Sequence, residues 1–247
     1  MTAPELAAPG RHLGARRNRL LASLSPDDYS ALEPYFGYEE VELLRILIEA
    51  NEPFTHVFFP LSGVISVVSR LADGKVVETG TVGNEGFANV DVILEGGSAP
   101  NTTMMQIPGE VIRVPAPALV SLAQERPGLR RRLLRYAEAY LIQVAQSAAC
   151  NGAHEIAERC ARWLLMTHDR MGATEQFLLT QEVLAEMLGV RRAGVTVAAG
   201  MLQKAGLIKY SRGRITVLDR AGLEAASCEC YPIVKAHFDR LLDDSRS

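Results

Sequence analysis

The chain has 247 residues, nearly half of them hydrophobic (48%) and 22% charged, with a formal net charge of −3. Such a length accommodates two domains with separate cores, and the composition is too apolar for a disordered chain. The weak negative charge excludes coating of nucleic acid or anionic membrane by bulk electrostatics and confines any nucleic-acid contact to a local basic patch.

The opening MTAPELAAPG is rich in Ala, Pro and Gly and reads as frayed chain without the apolar core of a secretory signal. No apolar run approaches the length of a membrane span, which predicts a cytoplasmic protein without a membrane partner. Within LASLSPDDYSALEPYF, Ser25 is placed to cap a helix whose first residue is Pro26. From Val41 to Val114 the texture changes to short β-rich runs, VELLRILIE, HVFFP, GVISVVSRL, KVVETGTV, MMQI and EVIRVP, with a hairpin signal at Asp73-Gly74. Short strands at this spacing predict a sandwich or small barrel.

Beyond Pro117 the pattern turns helical. Leu122, Leu129, Leu133, Ala137, Leu141, Val144 and Ala148 recur at helical intervals, predicting a helix from Leu129 to Ala149 of about 30 Å. Its seam suits a partner helix or burial against the chain's own β-domain. Cys-Asn-Gly-Ala at 150–153 predicts a break and a domain boundary, followed by a second helix in HEIAERCARWLLMTHDRMG.

The segment LTQEVLAEMLGVRRAGVTVAAGMLQKAGLI holds two apolar-periodic helices around a Gly-Val-Arg-Arg break. Thr180 caps the first, which ends at Gly189; the second starts near Arg191 and buries Val195, Ala198, Ala199 and Leu202. Two short helices joined by a glycine turn form a helix-turn-helix, whose second helix enters the major groove. Guanidinium groups at Arg191 and Arg192 would oppose the helix dipole but match guanine O6 and N7. Thr180, Gln181 and Thr196 complete the predicted DNA-contacting set on these helices. GLIKYSRGRITVLD then predicts a hairpin with Arg212 and Arg214 at its tip, suited to phosphates. The tail LDRAGLEAASCECYPIVKAHFDRLLDD reads as one or two helices, with Asp219 as a cap and Pro232 as an interruption or fresh start.

This order of elements resembles the Crp-Fnr family of bacterial transcription regulators over about residues 16 to 245, most specifically in PLSGVISVVSRLADGKVVETGTVGNEGF and in the helix-turn-helix with its wing. The resemblance implies an α+β chain: a jelly-roll effector domain (16–117), a long dimerisation helix (118–149) and a winged helix-turn-helix domain with a helical tail (150–247). It further implies a homodimer on a two-fold double-stranded DNA site, half-sites about 34 Å apart, with RNA polymerase as a partner. Where cyclic-AMP-binding members begin the reading helix with Arg-Glu and place another Arg one turn later, this sequence has Arg192, Ala193 and Val197.

Gly83-Asn84-Glu85-Gly86 resembles the turn that cradles a cyclic phosphate, but no Lys or Arg lies between Lys75 and Arg113. A buried phosphate without a cation is costly, so usual cyclic-AMP binding is not expected. Glu85, Thr102 and Thr103 remain the weak markers of an effector pocket; a neutral ligand, thiol oxidation and a constitutively active regulator stay open. The iron-sulfur branch uses an N-terminal cysteine group, whereas all four cysteines here lie at or after Cys150. Cys228-Glu229-Cys230 lacks the Cys-x-x-Cys spacing of a zinc site, so no metal or other cofactor is expected. A cupin-like jelly-roll enzyme would need several His on facing strands, and only His56 of the five histidines falls there, which disfavours catalysis. A dimeric scaffold without DNA binding leaves the basic wing without a use.

Overall fold

The structure, a computed structural model, describes residues 12–171 and 176–242. The Ala/Pro/Gly-rich opening up to Gly10 and the end of the tail beyond Leu242 lie outside the described residues. Two short helices, α1 (His12–Ala15) and α2 (Arg19–Ala22), precede α3 (Pro26–Leu32). Ser25 caps α3 by accepting from the Asp28 amide, with Pro26 in the first turn. Asn18 is fully buried and donates to the carbonyls of Pro60 and Gly86, anchoring these helices on the β-domain.

Seven strands follow: β1 (Gly37–Val41), β2 (Ile46–Ile48), β3 (His56–Pro60), β4 (Val64–Arg70), β5 (Val76–Val82), β6 (Thr102–Ile107) and β7 (Gly109–Pro115). They form antiparallel sheets of order β1-β7-β3 and β2-β6-β4-β5, the jelly-roll arrangement, with Phe59, Ile65, Val82, Phe87, Met105 and Ile112 in one shared core. Asp73-Gly74 does turn the β4–β5 hairpin, with Gly74 at φ 84°. VELLRILIE is not one strand. The chain leaves β1 after Val41, turns with Leu44 at φ 62°, and resumes at Ile46, so Leu43 and Leu44 point outward.

Helix α4 (Ala116–Glu125) leads into α5 (Pro127–Ala153), 27 residues long. The expected break at 150–153 is absent: α5 runs through Cys-Asn-Gly-Ala and stops at His154. Helix propagation costs little once a long helix exists, and neither Asn151 nor Gly152 is a strong enough breaker. The single seam read from sequence divides into two. Leu129, Leu133 and Ala137 bury inward, while Leu141 is 53% exposed and faces away from the β-domain with Leu134, Ala145 and Ala148.

After a capping box between Glu155 and Glu158 comes α6 (Ile156–Arg170), then β8 (Gln176–Leu178), α7 (Gln181–Leu188) and α8 (Arg192–Lys204). The hairpin β9 (Ile208–Ser211) and β10 (Arg214–Val217) joins β8 in the order β8-β10-β9. Finally Asp219 caps α9 (Arg220–Ala225), and α10 (Cys230–Leu242) starts afresh with Pro232 in its first turn and packs against α5. The reading-head domain does not hang free: Met187 of α7 meets Ser66 of β4 (Oγ to Sδ 3.6 Å), and Trp163 of α6 donates to Glu78 of β5 at 2.9 Å.

Candidate functional site

Helix α7 begins where Thr180, in extended backbone, accepts a hydrogen bond from the Val183 amide at 3.3 Å. It ends at Gly189, whose φ of 63° allows the sharp turn into α8. Leu184, Met187 and Leu188 of α7 and Val195, Ala198, Ala199 and Leu202 of α8 are buried, locking the two helices together. This packing leaves the other face of α8 in solvent.

Arg191 sits at the N-cap of α8 with no capping hydrogen bond, and Arg192 is the first helical residue; both are exposed. Arg192 pairs with Glu182 of α7 at 2.9 Å, a bridge exposed on both sides and therefore weak. Thr196 donates to Gln181 at 2.8 Å. In the hairpin, Arg212 and Gly213 both take positive φ (51° and 71°), the pattern of a two-residue turn that matches strand twist. The turn packs beside Thr180, and the Gly213 carbonyl accepts from the Leu179 amide at 2.8 Å. Tyr210 fixes the assembly by donating to the Leu179 carbonyl at 2.9 Å. Thr180, Gln181, Arg192 and Thr196 are thus linked through neighbouring contacts, with Arg212 and Arg214 at the adjacent wing tip.

The sequence-predicted contacting set leaves out two residues of this surface. Val197 and Met201 are 64% and 58% exposed on the outer face of α8. Large apolar groups left in solvent on a reading helix are suited to thymine methyl groups. Their spacing, falling between the buried positions, carried that signal.

The three weak effector markers do not converge. Glu85 is buried and bonded to Arg170 of α6 (Nε to Oε1 2.9 Å) and to the Gly83 amide at 3.1 Å. Thr102 donates to Glu49 and Thr103 to Asn89. Thr103 lines a cavity of about 20 Å³, away from Glu85 and far below ligand-pocket size. The glycines of the Gly83–Gly86 turn are needed for a different reason than phosphate binding. A Cβ on Gly86 would meet the Tyr136 ring of α5, and one on Gly83 the Arg170 side chain. Helical side chains occupy the approach to the turn. Glu85 instead borders an interdomain cleft of about 250 Å³ with Arg170, Tyr231 and Phe238.

A jelly-roll domain joined through a long helix to a winged helix-turn-helix defines a class, the two-domain DNA-binding transcription regulators. Residues 39–126 match the cyclic nucleotide-binding domain family and residues 158–226 the Crp-like helix-turn-helix domain family, leaving out α5 and the two ends. The fold is similar to that of FixK2 from Bradyrhizobium japonicum, at 17% identity over 78% of this chain and 98% of that one (TM-score 0.66). A CRP-family transcriptional regulator from Thermus thermophilus is similar at 20% identity over 76% and 96% (TM-score 0.65). The c-di-GMP responsive regulator CLP of Xanthomonas campestris aligns at 14% identity over 78% and 99% (TM-score 0.62). No curated protein sequence matches the chain. With both domain families present in the order and fold of these regulators, the chain belongs to the Crp-Fnr transcription regulators and binds DNA. Among the described residues no helix is long and apolar enough to cross a membrane.

Proposed function

We propose that the protein is a cytoplasmic, homodimeric, sequence-specific regulator without catalytic activity, whose α8 helices read two half-sites on one face of a DNA duplex. The observation that carries this reading is the exposed start and outer face of α8, with Arg191, Arg192, Thr196, Val197 and Met201 in solvent beside the wing. Arg191 and Arg192 donate to guanine edges, Thr196 and Val197 meet neighbouring bases, and Thr180, Gln181, Arg212 and Arg214 hold phosphates. Dimerisation runs along α5, where Leu134, Leu141, Ala145 and Ala148 keep heptad-compatible spacing on the face left uncovered. Residues 16–117 act as the sensor, 118–149 as the dimer helix and 150–247 as the reading domain. A bacterial RNA polymerase is the partner through which bound protein changes transcription.

Cyclic AMP held in the usual way is not the effector. Glu85 already neutralises Arg170, and Tyr136 and Arg170 fill the space beside the turn. Selection from a random duplex library, with full-length protein at fixed salt and no added ligand, tests the reading. Enrichment of a two-fold motif supports it; absence of retention with reductant, oxidant and cyclic nucleotides alike would reject it.

A further inference from the structure

Four residues distant in sequence meet at the junction between the sensor and the reading head. Cys150 lies in the last turn of α5 and His154 caps that helix; Cys228 lies two residues before Cys230, which opens α10. One ligand atom from each lies within 4.8 Å of all the others. The Sγ atoms of Cys150 and Cys228 are 3.5 Å apart, and Cys230 Sγ is 3.6 Å from His154 Nδ1. All three cysteines are buried.

Tetrahedral thiolate ligands about 2.3 Å from a zinc ion stand about 3.8 Å from one another. The 3.5 and 3.6 Å separations lie near that edge, and the other four are no longer than 4.8 Å. They are too short for ligands spread over the separate irons of a cubane cluster, and a sulfur-sulfur bond is about 2.05 Å long. The surroundings are also those of a metal site. His154 turns its Nε2 to the Glu229 carboxylate at 3.1 Å, which leaves Nδ1 facing the sulfurs. Such a carboxylate on the outer nitrogen fixes the tautomer and orientation of a ligating imidazole. Gln146 donates to Cys230 Sγ at 3.1 Å.

We propose that Cys150, His154, Cys228 and Cys230 bind one Zn(II) ion in a tetrahedral Cys3His site that clamps the end of α5 to the start of α10. Binding displaces one proton from each thiol, and the resulting centre, one dication with three thiolates and a neutral imidazole, carries a single negative charge. Arg159 and Arg162 lie close enough to offset it, each interacting electrostatically with Cys150. Arg159 also donates through Nη2 to the Leu188 carbonyl at the end of α7. The ion therefore sits where the long helix hands over to α6, one side chain from the helix-turn-helix turn. Its occupancy sets how firmly the reading head is held against the sensor. The site stands on its own geometry, whether or not the DNA reading is right.

Full-length protein purified under reductant without chelator is analysed for metal by mass spectrometry, then stripped and titrated with Co(II). The expected result is one zinc per chain and, with Co(II), the intense visible absorption of a tetrahedral, thiolate-rich ion. Cys228→Ser and His154→Ala should lose or alter that spectrum, while Cys160→Ser, buried but outside the cluster, should keep it. Circular dichroism establishes that each variant is folded; if Cys228→Ser is not, the wild-type and Cys160→Ser spectra still decide. Protein without stoichiometric metal that gives no visible band with Co(II), the brown chromophore of an iron-sulfur cluster, or a Cys150–Cys228 disulfide in metal-free native protein would each overturn the assignment.

Discussion

Arg170 in the last turn of α6 and Glu85 in the β-domain turn form a buried ion pair, with 6% of each side chain exposed and Nε to Oε1 2.9 Å apart. The guanidinium also donates to Gln143 of α5 at 2.7 Å and to the Met166 carbonyl at 3.0 Å, so three segments converge on one cation. Removing one partner of such a pair leaves a desolvated charge behind. Arg170→Ala should therefore lose about 3 to 5 kcal/mol of stability, read from urea denaturation. The double variant Arg170→Met with Glu85→Gln should recover much of that loss, because neither charge is then stranded. Cyclic AMP should leave the melting temperature of the wild type unchanged.

Glu78 gives the contact between the domains a pH dependence. It accepts from Ser66 at 2.6 Å and from Trp163 at 2.9 Å, and burial, outweighing both hydrogen bonds, pushes its carboxyl up to about 7. The ordinary value is 4.5, so between these limits the folded chain keeps a proton that the unfolded chain has released. Stability from this group is therefore full below the lower value, falls as pH rises through the window, and levels off above the upper one. Glu78→Gln should flatten the fall. The check is the difference in Tm between wild type and variant from about pH 5 to 8, which should grow in the variant's favour with rising pH.

Arg192→Ala should weaken binding to the selected DNA site by about 1 to 3 kcal/mol and relax preference at one base, with the fold intact. Its bridge to Glu182 is exposed at both ends, so losing it has little effect on stability. Quantitative titration against the site and single-base variants measures both effects, and unchanged affinity with unchanged preference would remove Arg192 from the reading set.

Arg212→Ala at the wing should act differently. It should weaken binding to all sequences alike and flatten the slope of log affinity against log salt by about 1. The left-handed backbone of Arg212 makes Gly an equally informative replacement, since it keeps the turn without the charge.

Leu141 tests the dimer. Half exposed in the single chain, it should become buried in the pair, and Leu141→Lys should raise the dimer dissociation constant about a hundredfold, equivalent to about 3 kcal/mol. Sedimentation at several concentrations reads this directly. A dimer of undiminished strength would place the interface elsewhere.

The reading head was legible because its signals are local. Thr180 caps, Gly189 turns and Arg212-Gly213 closes a hairpin, each through residues only a few positions away. The interior polar partnerships were not. Arg170 lies 85 residues from Glu85, and the absence of a cation between Lys75 and Arg113 was true of the strand region but not of the fold. The cysteines were hidden by the same limit. Cys150 and His154 are spaced i and i+4 across the end of α5, but their partners arrive from about 78 residues away, and a search for Cys-x-x-Cys passes over both halves. The strand break at Leu44 was missed because Val41–Glu49 is rich in apolar residues and contains no Gly or Pro, and only the positive φ of Leu44 interrupts the run.

The continuity of α5 makes the molecule sensitive to counting. Twenty-seven residues of unbroken helix run from Pro127 beside the β-domain to Ala153 at the junction. Each residue turns the helix by about 100°, so one residue added between Leu141 and Cys150 would swing Cys150 and everything beyond it by more than a quarter turn relative to the seam, whereas seven would nearly restore the angle. Related chains can therefore vary widely in sequence along this segment, but insertions and deletions within it should be tolerated only in steps that return the shaft to phase.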